Sequence, residues 1–463
     1  PEVSFVLVSL VANPNVEISY ELPDNVAEVV TVPLWGIDGV LERRRDLGVA
    51  ALMQRRRSTP DTVISQHFLP LFRDFLDLVW RRTVEAEATI QVLRALAGYF
   101  RVYDYDTTMR SQPVWRTFVE MATPGLERVE TVLGKPDPVP LSEVTQALRL
   151  LARWLTVLTV ELPPLDIVHS MAAGLTGIIG IVAADDPDTT FLLSEHGIYL
   201  RERLIALAEA EEGRFSQLFQ AQFVQRITEA SYRCASLITP CSDANQRWER
   251  YVGASPTSLQ TVHNGVDASR FSPPEGGRDP DQPPTAVWLG RIDPLKDLET
   301  LIRAAGVVCE AVPDARFVLY GKAPDGNEWY YERLLELRAE LGIEENVIFG
   351  GFTSSPAAAY LEGDFVVLSS ISEGFPYTVV EAMMCARTVV GTNVGGVSEA
   401  LEDVGYVVEP RNPEAFAAAC LELMTDLSHA EALGREARQK ALANFTLQQC
   451  NDTFLGVYRR LAR

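Results

Sequence analysis

The sequence predicts an α/β protein with parallel, doubly covered sheets, organised in two halves. Three observations carry this. Beyond residue 285, short apolar runs alternate with stretches of helical periodicity. Such βαβ alternation demands a parallel sheet with helices on both faces. A looser alternation occupies the first half, and the dense Pro/Gly stretch at 272–284 separates the two. Finally, 463 residues suffice for two or three domains with large cores.

Taken in order, residues 3–11 read as a buried strand and 26–33 as a second one after a turn at 22–25. From about 61 to 160 the pattern is helical. Phe68, Leu71, Phe72, Phe75, Leu76, Leu78 and Val79 recur at three-and-four spacing, and Trp80, Tyr99, Phe100, Tyr103, Tyr105, Trp115 and Phe118 read as helix-packing core. This stretch is an insertion in the first domain. Residues 166–169 are a short strand ending in His169, followed by an apolar helix whose Gly174, Gly177 and Gly180 allow close backbone packing. Residues 191–197 are a strand ending in His196-Gly197, and a helix opens at Tyr199. Residues 237–242 are a strand, with Ser242 or Asp243 capping the next helix. Residues 259–267 read as a strand into an Asn-Gly turn. The domain boundary is placed at 268–284, giving an N-terminal domain over 1–267.

The second half supplies strands at 285–290, 315–321, 347–352, 364–370, 387–391 and 406–408, with helices between and a Gly395-Gly396 turn. It spans 285–446, and a terminal helix over 447–463 is expected to cross back to the first domain. In open α/β sheets, ligands collect at the carboxyl ends of strands. Two loops there carry chemistry. After Gly290 come Arg291 and Lys296, an Arg fork and a Lys point charge suited to share a diphosphate. About 80 residues on, Ser372-Glu373-Gly374-Phe375-Pro376-Tyr377-Thr378-Val379-Val380-Glu381 puts a tight turn before a helix over 379–386, with N–H groups around Phe375 to Val379 available to an anion. Glu373 and Glu381 suit sugar hydroxyls better than phosphate. The chain has only five histidines, and His196 at a strand end is the histidine placed where sites form, ahead of His169.

A net charge of −22 argues against a nucleic-acid surface and against adsorption to anionic membranes. The six cysteines form no Cys-x-x-Cys pair, so neither a zinc site nor a disulfide framework is expected, and reduced thiols fit a cytoplasmic protein. No apolar run reaches the ~18 residues of a membrane span.

The motif Glu373-Gly-Phe-Pro-x-x-x-x-Glu381 resembles the two-glutamate signature of retaining, GT-B-fold glycosyltransferases of family 4. His-Asn-Gly-Val-Asp (263–267), Gly-Arg-Ile-Asp-Pro-Leu-Lys (290–296) and Val-Ile-Phe-Gly-Gly-Phe (347–352) fall in that family's order. Tyr-Glu-Leu-Pro-Asp-Asn-Val (20–26), Glu-His-Gly-Ile-Tyr-x-Arg-Glu-Arg (195–203) and the helical insertion resemble, more narrowly, the Pel exopolysaccharide glycosyltransferase group. The resemblance implies two Rossmann-like domains facing across a cleft. It also implies a first strand, Gly-rich loop and helix ahead of residue 3 that the sequence as given does not show. It assigns Arg291 and Lys296 to the diphosphate of a UDP-sugar, Glu381 to the ribose, and Glu373 with the Gly374–Pro376 backbone to the donor sugar. Gly290, Phe352, Thr378 and Val379 line the donor, with Phe352 by the base, and His196 faces the sugar. The expected activity is hexosyl transfer from a UDP-sugar, UDP-glucose first, to a polysaccharide acceptor. No metal or cofactor is required, since the cations take the leaving-group charge. Partners in an inner-membrane synthase complex are expected to recruit an otherwise cytoplasmic enzyme. A nucleotide-sugar 2-epimerase and a catalytically inactive UDP-sugar-binding scaffold are the alternatives.

Overall fold

The computed structural model describes residues 2–13, 15–16, 21–35, 48–81, 83–130, 139–273 and 281–462. Tyr20 of the 20–26 motif, residues 82 and 131–138 of the helical insertion, and residues 274–280 of the Pro/Gly-rich stretch lie outside the described residues. The chain divides into two compact units. The first comprises residues 1–239 and 249–259, and the second 240–248 and 260–461. Residues 240–248 and 260–267, which the sequence reading gave to the first domain, thus group with the second unit, as does the terminal helix Leu447–Leu461.

The first unit opens with β1 (Phe5–Val11) and β2 (Val26–Pro33), paired in parallel. A three-stranded sheet follows later in the order β3 (Ile167–Ser170), β4 (Thr190–Glu195), β5 (Leu237–Pro240). Between them lies the helical stretch, including Leu69–Trp80, Ala86–Val102, Gln112–Glu130 and Leu141–Trp154. Its aromatic residues form the core with the 21-residue helix Arg214–Cys234: Trp80 packs on Phe215 and Phe219, and Phe75 on Phe223. Trp115 is the exception, at 38% exposure.

Residues 259–267 are not a strand. Only isolated bridges, Ile238 to Leu259 and Val266 to Thr446, mark this segment. No turn forms at Asn264-Gly265; Asn264 is buried, and its Nδ2 donates to the Phe375 carbonyl at 2.8 Å.

Among its described residues the second unit holds six strands: β6 (Thr285–Leu289), β7 (Arg316–Tyr320), β8 (Val347–Gly351), β9 (Phe365–Leu368), β10 (Val389–Thr392) and β11 (Tyr406–Val408). Their order in the sheet is β11-β10-β9-β6-β7-β8, and every pair is parallel. This is the doubly wound order in which the chain starts in the middle, builds outward to one edge, then returns to build the other. Both faces are covered. Along β9, Phe365 and Val367 enter one apolar layer, and Val366 and Leu368 the other. That is why the strand reads as an unbroken apolar run rather than an alternation. The winding reverses between β6 and β9, and in open α/β sheets the carboxyl ends of the strands at such a switch point are where ligands collect.

Candidate active site

The loop after β6 is shaped by two aspartates. Asp293 caps a single 3-10 turn, Pro294–Lys296, by accepting from the Leu295 N–H at 3.0 Å, and Asn327 donates to its other oxygen at 3.1 Å. Asp297 takes a left-handed conformation (φ 46°) and caps the helix Leu298–Ala311 through Thr300. Aspartate tolerates that geometry better than bulkier residues. Lys296 is therefore held between two capped turns.

The loop after β9 meets it. Lys296 Nζ lies 2.5 Å from Glu373 Oε1, and Ser370 Oγ donates to the same oxygen at 2.6 Å. Two further bonds tie the backbones: Ser369 Oγ donates to the Lys296 carbonyl at 2.8 Å and Ile371 N–H to the Leu295 carbonyl at 2.9 Å. Ser369 and Ser370 are fully buried. The two loops singled out in the sequence are thus one structure, built at the switch point of the sheet. Arg291 lies on the same β6 loop and is exposed. Gly290 ends the strand with its N–H bonded to the Tyr320 carbonyl at 3.0 Å.

The helix following the second loop is Tyr377–Met384. Phe375, Pro376 and Val379 are buried, so whatever they offer a ligand comes from the backbone. Val379 offers less than the sequence suggested, because its N–H donates to the Pro376 carbonyl at 3.2 Å. Phe375 instead anchors the loop, packing against His263 and Phe445 with centroids 4.8 and 5.1 Å away. The Gly395-Gly396 turn presses on the other side: Gly396 N–H donates to the Gly374 carbonyl at 2.6 Å. A side chain at Gly395 would collide with the Glu373 carbonyl.

Glu381 is half-buried, and its Oε2 accepts from the Tyr360 hydroxyl at 2.7 Å. Burial pushes its carboxyl above the usual range, while the Tyr360 bond and the charge of Arg270 pull it back. Phe352, past the end of β8, is 69% exposed, and Lys322 Nζ stands 5.3 Å from its ring centroid. Sequence reasoning missed Ser370, Tyr360, Asn264 and Lys322. The motif at 263–267 held the signal for Asn264, but a turn reading absorbed it.

In the first unit, His196 is exposed at the carboxyl end of β4. His169, at the end of β3, bonds through Nε2 to Ser194 Oγ at 2.7 Å, and Ser194 Oγ to Thr239 Oγ1 at 2.5 Å. Burial, then the neighbouring His196, lowers the His169 pKa to about 4, so the ring is neutral.

A parallel doubly wound sheet that follows a first α/β unit in the chain fits the GT-B fold class. The solved structures agree at the level of the fold. The Anabaena Alr3699/HepE crystal structure in complex with UDP superposes with a TM-score of 0.55 at 20% identity, covering 64% of this chain and 79% of that one. Sucrose-phosphate synthase from Thermosynechococcus elongatus gives 0.56 at 20% identity, covering 76% and 79%. The chain belongs to the family described as Domain of unknown function (DUF3492), whose model matches residues 1–257, and residues 273–440 match Glycosyl transferases group 1. Among curated relatives, the D-inositol 3-phosphate glycosyltransferase of Salinispora tropica is 29% identical over 316 residues, covering 63% of this chain and 63% of its own length. That of Rhodococcus opacus is 28% identical over 308 residues, covering 64% and 67%. The chain thus spans just under two thirds of the Salinispora relative. Among the described residues, no helix is long and apolar enough to cross a membrane.

Proposed function

We propose that the chain is a retaining glycosyltransferase of the family-4 type that moves a hexose from a UDP-sugar, UDP-glucose first, to a growing exopolysaccharide of the Pel kind. The observation that carries this reading is the joining of Lys296 and Glu373 across the β6 and β9 loops, inside a glycosyl transferases group 1 domain. Lys296 and Arg291 neutralise the charge that grows on the departing diphosphate as the bond from the anomeric carbon breaks. Glu373, beside Lys296, takes sugar hydroxyls, which a carboxylate accepts, and holds the hexose. Glu381 takes the ribose, Phe352 the base, and His196 the sugar near the reacting carbon. The leaving-group charge is met by side chains, so the reading needs no metal. Partners would bring the protein to the inner membrane face from the cytoplasm.

Calorimetry with UDP, GDP and ADP, followed by UDP release from UDP-glucose in the presence and absence of EDTA, tests this. Preferential UDP binding and EDTA-insensitive turnover are expected; a failure to bind any of the three nucleotides overturns it. The similarity to D-inositol 3-phosphate glycosyltransferases supports a second acceptor class, a phosphorylated polyol. Transfer to inositol 3-phosphate but not to an oligosaccharide would decide for that acceptor.

A further inference from the structure

Glu195 is the last residue of β4 and only 1% exposed. Three donors converge on its carboxyl. The Ala173 N–H reaches Oε1 at 3.3 Å, the Tyr232 hydroxyl donates to Oε2, and the Tyr199 backbone N–H bonds it as well. These donors come from three places: the turn after β3, the helix Arg214–Cys234, and the first residue of the helix Tyr199–Glu209. The Ala173 carbonyl is held too, by Thr228 Oγ1 at 3.1 Å. Packing leaves no slack. A side chain at Gly174 would strike the Tyr199 ring, and one at Gly197 the Glu202 carboxylate. His196 stands next to Glu195 in the chain, inside the segment these bonds clamp at both ends.

We propose that Glu195 is the positioning residue of His196, fixing the β4 loop by accepting from Ala173, Tyr199 and Tyr232 at once. The proposal rests on the functional reading of His196 for its consequence, though not for its geometry. A carboxylate suits three donors, because backbone N–H groups cannot reverse and a carboxylate has lone pairs for all of them. A glutamine turns an NH2 toward one of these donors. Protonation has a related effect, since one oxygen becomes a donor and only the Tyr232 hydroxyl can turn to accept. Burial raises the Glu195 pKa to about 7 against the pull of its hydrogen bonds, with Glu202 pushing the same way as burial. Facing groups on the packed elements are Tyr199 and Glu202, Tyr232, and Glu249 with Arg250 beside it. The clamp therefore tightens as pH rises through neutrality.

The test uses the full chain. Histidine-ring NMR, with His196 assigned by His196→Ala, should show the His196 signal responding to an ionisation near pH 7 that is not its own. Glu195→Gln should abolish that step, and Tyr232→Phe should move it to higher pH. With UDP-glucose, Glu195→Gln should lower kcat by up to about 100-fold, the scale of a misplaced catalytic group, at near-constant KM and UDP affinity. A His196 titration identical in wild type and Glu195→Gln overturns the inference, whether or not turnover is measurable. If the step is present but His196→Ala keeps full turnover, the positioning stands and the role of His196 in transfer fails.

Discussion

Lys296 Nζ and Glu373 Oε1 lie 2.5 Å apart, 77 residues apart in sequence, with the lysine side chain 21% and the carboxylate 11% exposed. The cation proposed for the diphosphate is thus already paired with the carboxylate proposed for the sugar. Lys296→Ala and Arg291→Ala should each weaken UDP by about 1.5–3 kcal/mol, the range of hydrogen bonds to charged groups, with a smaller loss for UMP. Glu373→Ala should leave UDP affinity nearly intact and lower kcat. Because the residues touch, a double-mutant cycle on UDP affinity should show coupling of about 0.5–3 kcal/mol. Calorimetric additivity, or equal losses for UDP and uridine, would mean that the pair only supports the fold.

Glu381 and Tyr360 give a different expectation. Glu381 is assigned to the ribose, which UDP and UDP-glucose share, so Glu381→Ala should weaken both alike. Tyr360→Phe removes the hydroxyl that orients the carboxylate. It should weaken both ligands less, and reduce stability by about 1 kcal/mol, the net value of one hydrogen bond. If Glu381→Ala spares UDP while Glu373→Ala abolishes its binding, the two carboxylates have been assigned in reverse.

Gly395 has φ 53° and faces the Glu373 carbonyl. An alanine there meets left-handed strain of about 1–2 kcal/mol and a backbone collision besides. Gly395→Ala should therefore lower the melting temperature and, by displacing the loop, reduce kcat in the manner of Glu373→Ala. Gly253→Ala, also at positive φ (115°) but with open space where its Cβ would go, should cost stability alone. Equal kinetic effects from both would show that loop placement is not what Gly395 protects.

Glu249 is fully buried in the first unit, and neither carboxylate oxygen has a hydrogen-bond partner among the described residues. Burial, then the charge of Glu195, raises its pKa from 4.5 to about 8. Between those values the folded chain holds a proton the unfolded chain has lost, so stability falls as pH rises through that window and is level beyond it. Glu249→Gln cannot ionise. Its melting temperature should match or fall slightly below wild type near pH 4.5, then exceed it by a margin that grows up to about pH 8. Scanning calorimetry across this range checks the sign; a constant margin would show that Glu249 does not titrate in the fold.

The elements themselves were legible in the sequence, because each is announced by neighbours in the chain. The apolar run at Phe365–Leu368 and the three-and-four spacing around Phe72 and Phe75 are local signals. So is the placement of Arg291, Lys296, Glu373 and Glu381 on loops and a helix start at strand ends. The resemblance, not periodicity, supplied their roles. Two groups were placed otherwise than the local signals suggested: the Asn264 side chain donates to the distant Phe375 carbonyl, and the Val379 N–H is taken up locally by Pro376. The pairing of Lys296 with Glu373 depends on β6 and β9 becoming neighbours in the sheet, which no window of sequence contains. The same holds for Glu195, an ordinary acid before a histidine until Ala173, Tyr199 and Tyr232 enclose it. Residue type sets what a group can donate or accept, but burial and the partners across the fold decide its charge and what it holds in place.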